Sequence, residues 1–123
     1  HLKQGPQAEQ FYKKALSLAS NQNNWFALMD IYRDFAAHYE QEKEFDEALT
    51  LWTRSAHVAE DLADDAAAAN AFISMGKCVE LNGDKPRALV YYKNALELAS
   101  AINDSDIKAE ALSRLIASHS ALE

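Results

Sequence analysis

One cysteine, two prolines and three glycines are all that 123 residues hold of the types that staple, kink or loosen a chain. Cys78 has no partner, so no disulfide can form within the chain, and a reducing, cytoplasmic setting is expected. With β-branched residues also scarce, and alanine, leucine, glutamate and lysine abundant, helix is favoured nearly throughout. Basic charge is in deficit: 12 Lys and Arg stand against 19 Asp and Glu, a net charge of −7. That balance disfavours nucleic acid and anionic membranes as partners, because both require a surplus of cations on one face. No run of about 18 apolar residues is present to cross a bilayer, and no charged-then-apolar leader opens the chain. The four histidines never reach metal-ligand spacing with one another or with Cys78, so neither a metal nor a cofactor is expected.

What the chain has is a repeat. Phe11 to Ser20 (FYKKALSLAS) returns eighty residues on as Tyr91 to Ser100 (YYKNALELAS), with seven of ten positions identical. Midway, Leu51 to Glu60 (LWTRSAHVAE) keeps the same order of large, small and apolar residues. A fixed period of forty residues marks a stacked repeat architecture. The whole chain, 1–123, therefore reads as one all-α domain of helix pairs.

Six helices are predicted, over about 6–20, 25–42, 46–62, 65–81, 85–102 and 106–121. The break Asn21 to Asn24 offers an N-cap, Gly83 suits a left-handed C-terminal position, and Asp84 can open the next helix. Pro6 and Pro86 both fall in a first turn, where proline is tolerated. Aligned at forty-residue offsets, the columns alternate in size: Ala8, Ala48, Ala88; Tyr12, Trp52, Tyr92; Ala36, Gly76, Ile116; Phe35, Met75, Leu115. Small residues let two backbones approach, and a large residue four positions on fills the space beside them.

The stretch Phe72-x-x-Met75-Gly76-x-x-Val79, followed by Gly83-Asp84 and Ala88-x-x-x-Tyr92-x-x-Ala95-Leu96, resembles a tetratricopeptide repeat. The resemblance covers nearly the whole chain. It is closest over 69–102 and weaker over 29–62, where Ala36 replaces the glycine. The period is forty rather than thirty-four, and Ser20, Glu60 and Ser100 stand where the family closes its second helix with proline. Forty-residue versions resemble those of Pins-type spindle scaffolds, SNAP-type adaptors and Rap/PlcR-type peptide-sensing regulators. The resemblance implies a right-handed α-solenoid of antiparallel A and B helices whose A helices line a concave face. It implies no enzyme, but a scaffold that binds a protein or peptide on that face.

Carried over from the family pattern, the concave positions are Asp30, Arg33, Ala37 and Glu40; Asn70, Ile73, Lys77 and Glu80; Glu110, Ser113 and Ala117, with Asp34, Ser74 and Arg114 beside them. Arg33, Asn70, Lys77 and Arg114 are the candidate peptide-binding residues. An asparagine amide can donate to and accept from an extended backbone, and Arg or Lys can hold a carboxylate. The plainer reading is a solvated helix face, with Arg33 paired to Asp30 three residues away. The family's carboxylate clamp has lysine and asparagine where Arg33 and Ala37 stand, so a receptor for chaperone tails is not expected.

Other features have bland readings. His38, in one column with Cys78 and Ser118, is a packing position; His57 is exposed beside Glu60; His119 is a partly buried edge. The aromatics Phe11, Tyr12, Trp52, Tyr91 and Tyr92 fill the core. Trp25 and Phe26 either staple the first helix pair or belong to an exposed contact patch. The chain opens with His1 and a B helix, and it ends on an A helix whose Leu112, Leu115 and Ile116 have no following helix to cover them. A fragment of a longer array accounts for this, or a homodimer through the uncapped ends. Two alternatives to the groove-binding scaffold follow: a peptide sensor coupled to an effector outside this chain, and a self-assembly module with no groove ligand.

Overall fold

The computed structural model describes residues 4–122, with side chains from 5 to 119; His1 to Lys3 and Glu123 lie outside the described residues. Its elements are α1 (Gln4–Asn21), α2 (Trp25–Gln41), α3 (Phe45–Asp61), α4 (Asp65–Leu81), α5 (Lys85–Ala101) and α6 (Ser105–Leu122). The links between them, 22–24, 42–44, 62–64, 82–84 and 102–104, recur every twenty residues, half the period visible in the sequence.

One local mechanism makes every link. Its middle residue stands at positive φ: Asn23 at 54°, Lys43 at 60°, Ala63 at 56°, Gly83 at 90° and Asn103 at 56°. At the first link, Asn23 N donates to Ser20 O at 3.0 Å, and Asn24 N donates to Ala19 O at 2.9 Å. This is the Schellman pattern, which satisfies the last carbonyls of a helix. The same pair of bonds recurs at the other four links. The third residue then starts the next helix. Oδ1 of Asn24, Asp64, Asp84 and Asp104 accepts from the amide three residues on, at 3.1, 3.0, 3.1 and 3.0 Å. Each such side chain contributes about 1 kcal/mol as an N-cap. Glu44 is the exception, with no side-chain bond to its helix.

Each helix packs on its sequence neighbours, and α4 also touches α6. The result is an all-α solenoid of antiparallel helix pairs. Small residues sit where helices meet: Ala36, Ala48, Ala59, Ala88, Ala95 and Ala99 are wholly or almost wholly buried. At Gly76 even a methyl would not fit, since an added Cβ would collide with the Tyr92 ring. Phe35 fills the first pair, stacked between Tyr12 and Tyr39 with ring centroids 4.8 and 4.9 Å away. Burying one such ring stabilises the fold by about 1.5–3 kcal/mol.

The two ends differ from the interior. Phe11 is not core but 69 % exposed. Its counterparts are covered: Leu51 packs with Phe35 and Ala36, and Tyr91 stacks on Phe72 at 6.4 Å. Among the described residues no helix precedes α1, so Phe11 has nothing to pack on. Ile116 is 66 % exposed at the other end, in the column where Ala36 and Gly76 are buried.

Candidate functional site

Helices α2, α4 and α6 present one face with two adjoining cavities. The first, of about 220 Å³, is lined by Arg33, Asn70, Ser74, Lys77 and Glu110, with Trp52, Ala67, Ala71 and Ile73 as its wall. The second, of about 340 Å³, is lined by Lys77, Glu80, Leu81, Lys85 and Arg114. Arg33, Asn70 and Lys77 thus share the first cavity, Arg114 lies in the second, and Lys77 belongs to both.

Local pairing differs among these four. Arg33 Nη1 lies 3.2 Å from Asp30 Oδ1, and both side chains are largely exposed. An exposed pair of this kind contributes at most a few tenths of a kcal/mol. Arg114 Nε lies 3.9 Å from Glu110 Oε2, a loose contact one turn apart. Lys77 makes no ion pair and Asn70 no hydrogen bond among the described residues. Ile73, assigned to the groove by the family pattern, is 3 % exposed and belongs to the core as well as to the cavity wall.

Glu40 and Glu80 are not free groove residues either. Each is the hub of a clasp. Glu80 Oε1 accepts from Tyr92 OH at 2.7 Å, and its Oε2 accepts from Ser118 Oγ at 3.0 Å and Lys85 Nζ at 3.5 Å. Forty residues earlier, Glu40 Oε2 accepts from Trp52 Nε1 at 2.5 Å and from Cys78 Sγ at 3.5 Å. One carboxylate therefore ties an A helix to its own B helix and to the next A helix. Burial works to raise the Glu80 pKa, but the bonds from Tyr92 and Ser118 and the Lys85 charge outweigh it, and the net shift is downward. Burial first, and then Glu80, raise the Tyr92 phenol well above its usual value. Burial and the Glu40 carboxylate push the Cys78 thiol up to about 12. Cys78 is thus a protonated donor as well as a small buried residue. The clasps could have been read from the sequence: an acid in both copies at one column, followed twelve residues on by an aromatic with a polar tip.

At the N-terminal end Trp25 and Phe26 are 47 % and 63 % exposed. At the other end Leu112 is 42 % exposed, whereas Leu115 packs on the core formed by α4 to α6. His38 packs beside the rings of Tyr12 and Tyr39. His57 is exposed, 3.9 Å from Glu60. His119 is exposed rather than a partly buried edge, since no helix follows α6 to cover it among the described residues. Among the described residues no group of three His, Cys, Asp or Glu could hold a metal, and no helix is long and apolar enough to cross a membrane.

The tetratricopeptide repeat profile matches residues 27–101, more than half of the sequence. The chain belongs to the tetratricopeptide repeat family, whose members are in general protein-interaction modules rather than enzymes. Solved structures agree on the fold. BtubC (BKLC) from P. vanneervenii superposes with a TM-score of 0.66 at 16 % identity, over 98 % of this chain and 58 % of that one. The N-terminal domain of stress-induced protein-1 (STI-1) from C. elegans gives a TM-score of 0.59 at 17 % identity, over 89 % of this chain and 96 % of that one. This chain therefore spans little more than half the length of the former. No curated protein matches it.

Proposed function

We propose that this domain binds an extended peptide segment of a protein partner along the face made by α2, α4 and α6, and that it performs no chemistry. The observation that carries this reading is the cavity that brings Arg33, Asn70 and Lys77 together from two different helices. Asn70 and Lys77 enter it with their hydrogen-bonding capacity unspent. An amide can pair with a peptide backbone, and an ammonium can meet a carboxylate. A free buried thiol at Cys78 supports a reducing compartment such as the cytosol. The test is selection of a random peptide display library on the intact chain and on an Arg33→Ala/Asn70→Ala variant of equal helicity. Peptides held by the first and lost by the second support the reading; identical peptides on both overturn it.

A second reading, self-assembly through the ends or continuation into further repeats, is favoured by Phe11, Leu112 and Ile116. All three stand exposed in columns that are covered inside the stack. It expects the chain to associate in light scattering, and a Leu112→Gln/Ile116→Gln variant to be monomeric.

A further inference from the structure

We infer that the stack is two rigid blocks, α1–α3 and α4–α6, which swing against each other on a seam of alanines between α3 and α4. The Glu40–Cys78 bond is the latch across the gap between α2 and α4. The inference goes beyond the groove reading and needs no ligand. Its first ground is how the core divides. Around Tyr92 one continuous core joins α4, α5 and α6 through Ile73, Val79, Ala88, Ala95, Ile107 and Ala111, with Leu49 of α3 at its edge. It takes in no residue of α1 or α2. Phe35, Ala36 and Leu51 form a separate core with Tyr12, Tyr39 and Trp52, and it takes in nothing from α4. Two small clusters bridge the blocks: Met29 with Ala59 and Ala68, and Ala56 with Ala71 and Met75.

The second ground is the seam itself. Ala56, Ala59, Ala68 and Ala71 carry no side chain long enough to interlock, and Met75 is an adaptable filler. Between α4 and α5, by contrast, the Tyr92 ring sits where a Cβ at Gly76 would be, and it keys the two helices together. Interlocked surfaces hold their register, whereas smooth ones permit shear. The third ground is the contrast between the two joints of successive A helices. Ile73 and Ile107, 3 % and 8 % exposed, fill the joint between α4 and α6. Forty residues earlier their columns hold Arg33 and Ala67, and a cavity of about 220 Å³ opens there over Trp52. Across the filled joint Ser118 Oγ donates to Glu80 at 3.0 Å; across the open one Cys78 Sγ donates to Glu40 at 3.5 Å. A thiol is the weaker donor. Another bond between the blocks, from Asn82 Nδ2 to Asp46 Oδ1 at 2.8 Å, is exposed to water.

Nitroxide labels on the whole chain test this. Asp30, Asn70 and Glu110 are exposed and stand in one column on α2, α4 and α6. Asp30→Cys/Asn70→Cys therefore spans the open joint, and Asn70→Cys/Glu110→Cys spans the filled one. Cys78, 1 % exposed, stays unlabelled. Electron paramagnetic resonance should read a broad distance distribution across the first joint and a narrow one across the second. Cys78→Ser, which copies the bond made by Ser118, should narrow the first distribution to match the second. Ser118→Cys should broaden the second and leave the first alone. Equal widths in the unaltered background, or a wider second distribution, would overturn the two blocks. A broad first distribution that Cys78→Ser leaves unchanged would overturn the latch.

Discussion

In the first complete helix pair, α2 and α3, the Trp52 indole packs against a cluster of Phe35, Ala36 and Leu51; in the second, α4 and α5, a glycine (Gly76), forty residues after Ala36, lies against the Tyr92 ring. Tyr92 is fully buried, occupying the space a Cβ at Gly76 would need, while Trp52 is only partly buried and forms a wall of the groove. Both keep the same polar engagement, giving an N–H or O–H to the acid twelve residues earlier. The comparison teaches that the clasp is what the architecture preserves, and that the depth of packing around it is free to vary. The second pair is the tighter of the two, and it is the one beside which the cations gather.

The sharpest way to break the comparison is to remove each aromatic. Tyr92→Ala should cost about 3–5 kcal/mol, the range for deleting a large buried ring. Trp52→Ala should cost distinctly less, because part of its ring is already in water. Urea denaturation followed by circular dichroism checks both, and equal losses would mean that the two pairs are packed alike. Next comes the methyl itself. Gly76→Ala should destabilise by about 1–3 kcal/mol through overpacking on Tyr92. Ala36→Gly, where a methyl is already accommodated, should cost about 0.5–1 kcal/mol from backbone entropy alone.

The clasps come third. Glu80→Gln removes a charged acceptor from three donors and should cost about 1–3 kcal/mol, whereas Glu40→Gln, whose second donor is a thiol, should cost less. Acid titration sharpens this. Because the folded Glu80 pKa lies below the ordinary 4.5, its contribution is complete above that value. It is lost as pH falls through the lower folded value. Stability measured between pH 3 and pH 6 should therefore fall less steeply in Glu80→Gln than in the unaltered chain. The smallest effect belongs to the links. Lys43 and Ala63 hold a left-handed conformation at φ 60° and 56° that costs a side chain about 1–2 kcal/mol. Either one changed to glycine should gain about 0.5–1 kcal/mol net of glycine's own entropy cost. Gly83→Ala should lose a similar amount, about 0.5–1 kcal/mol, although no atom lies within 4 Å of its missing Cβ.

The fold class was legible because size and polarity recur at forty residues down columns such as Ala48 and Ala88, in a chain whose composition favours helix nearly throughout. The links were only half legible. Gly83-Asp84 announces itself, since glycine tolerates positive φ and aspartate caps. Lys43 and Ala63 carry no such signal, because the surrounding backbone bonds impose their conformation. For the site, spacing along a helix tells which residues share a face but not what each is already bonded to. Arg33, Asn70 and Lys77 could be placed on one face from the sequence, and their common cavity depends on how two helices lean together. The family pattern puts Glu40 and Glu80 on that same face, and long-range partners on α3, α5, α4 and α6 draw them into the clasps. Phe11 reads as core from the sequence because an aromatic in a repeat column is normally covered, which fails at the end of a stack.

The three-residue link gives the chain a property of a modular kit. One residue, Asp64 or Asp104, both terminates the helix behind it and starts the helix ahead. A segment cut from 64 to 103 is thus a self-contained part with identical fittings at its two ends. Duplicating or deleting it leaves every junction chemically unchanged, so arrays of different length are reachable in single steps without an ill-formed joint in between.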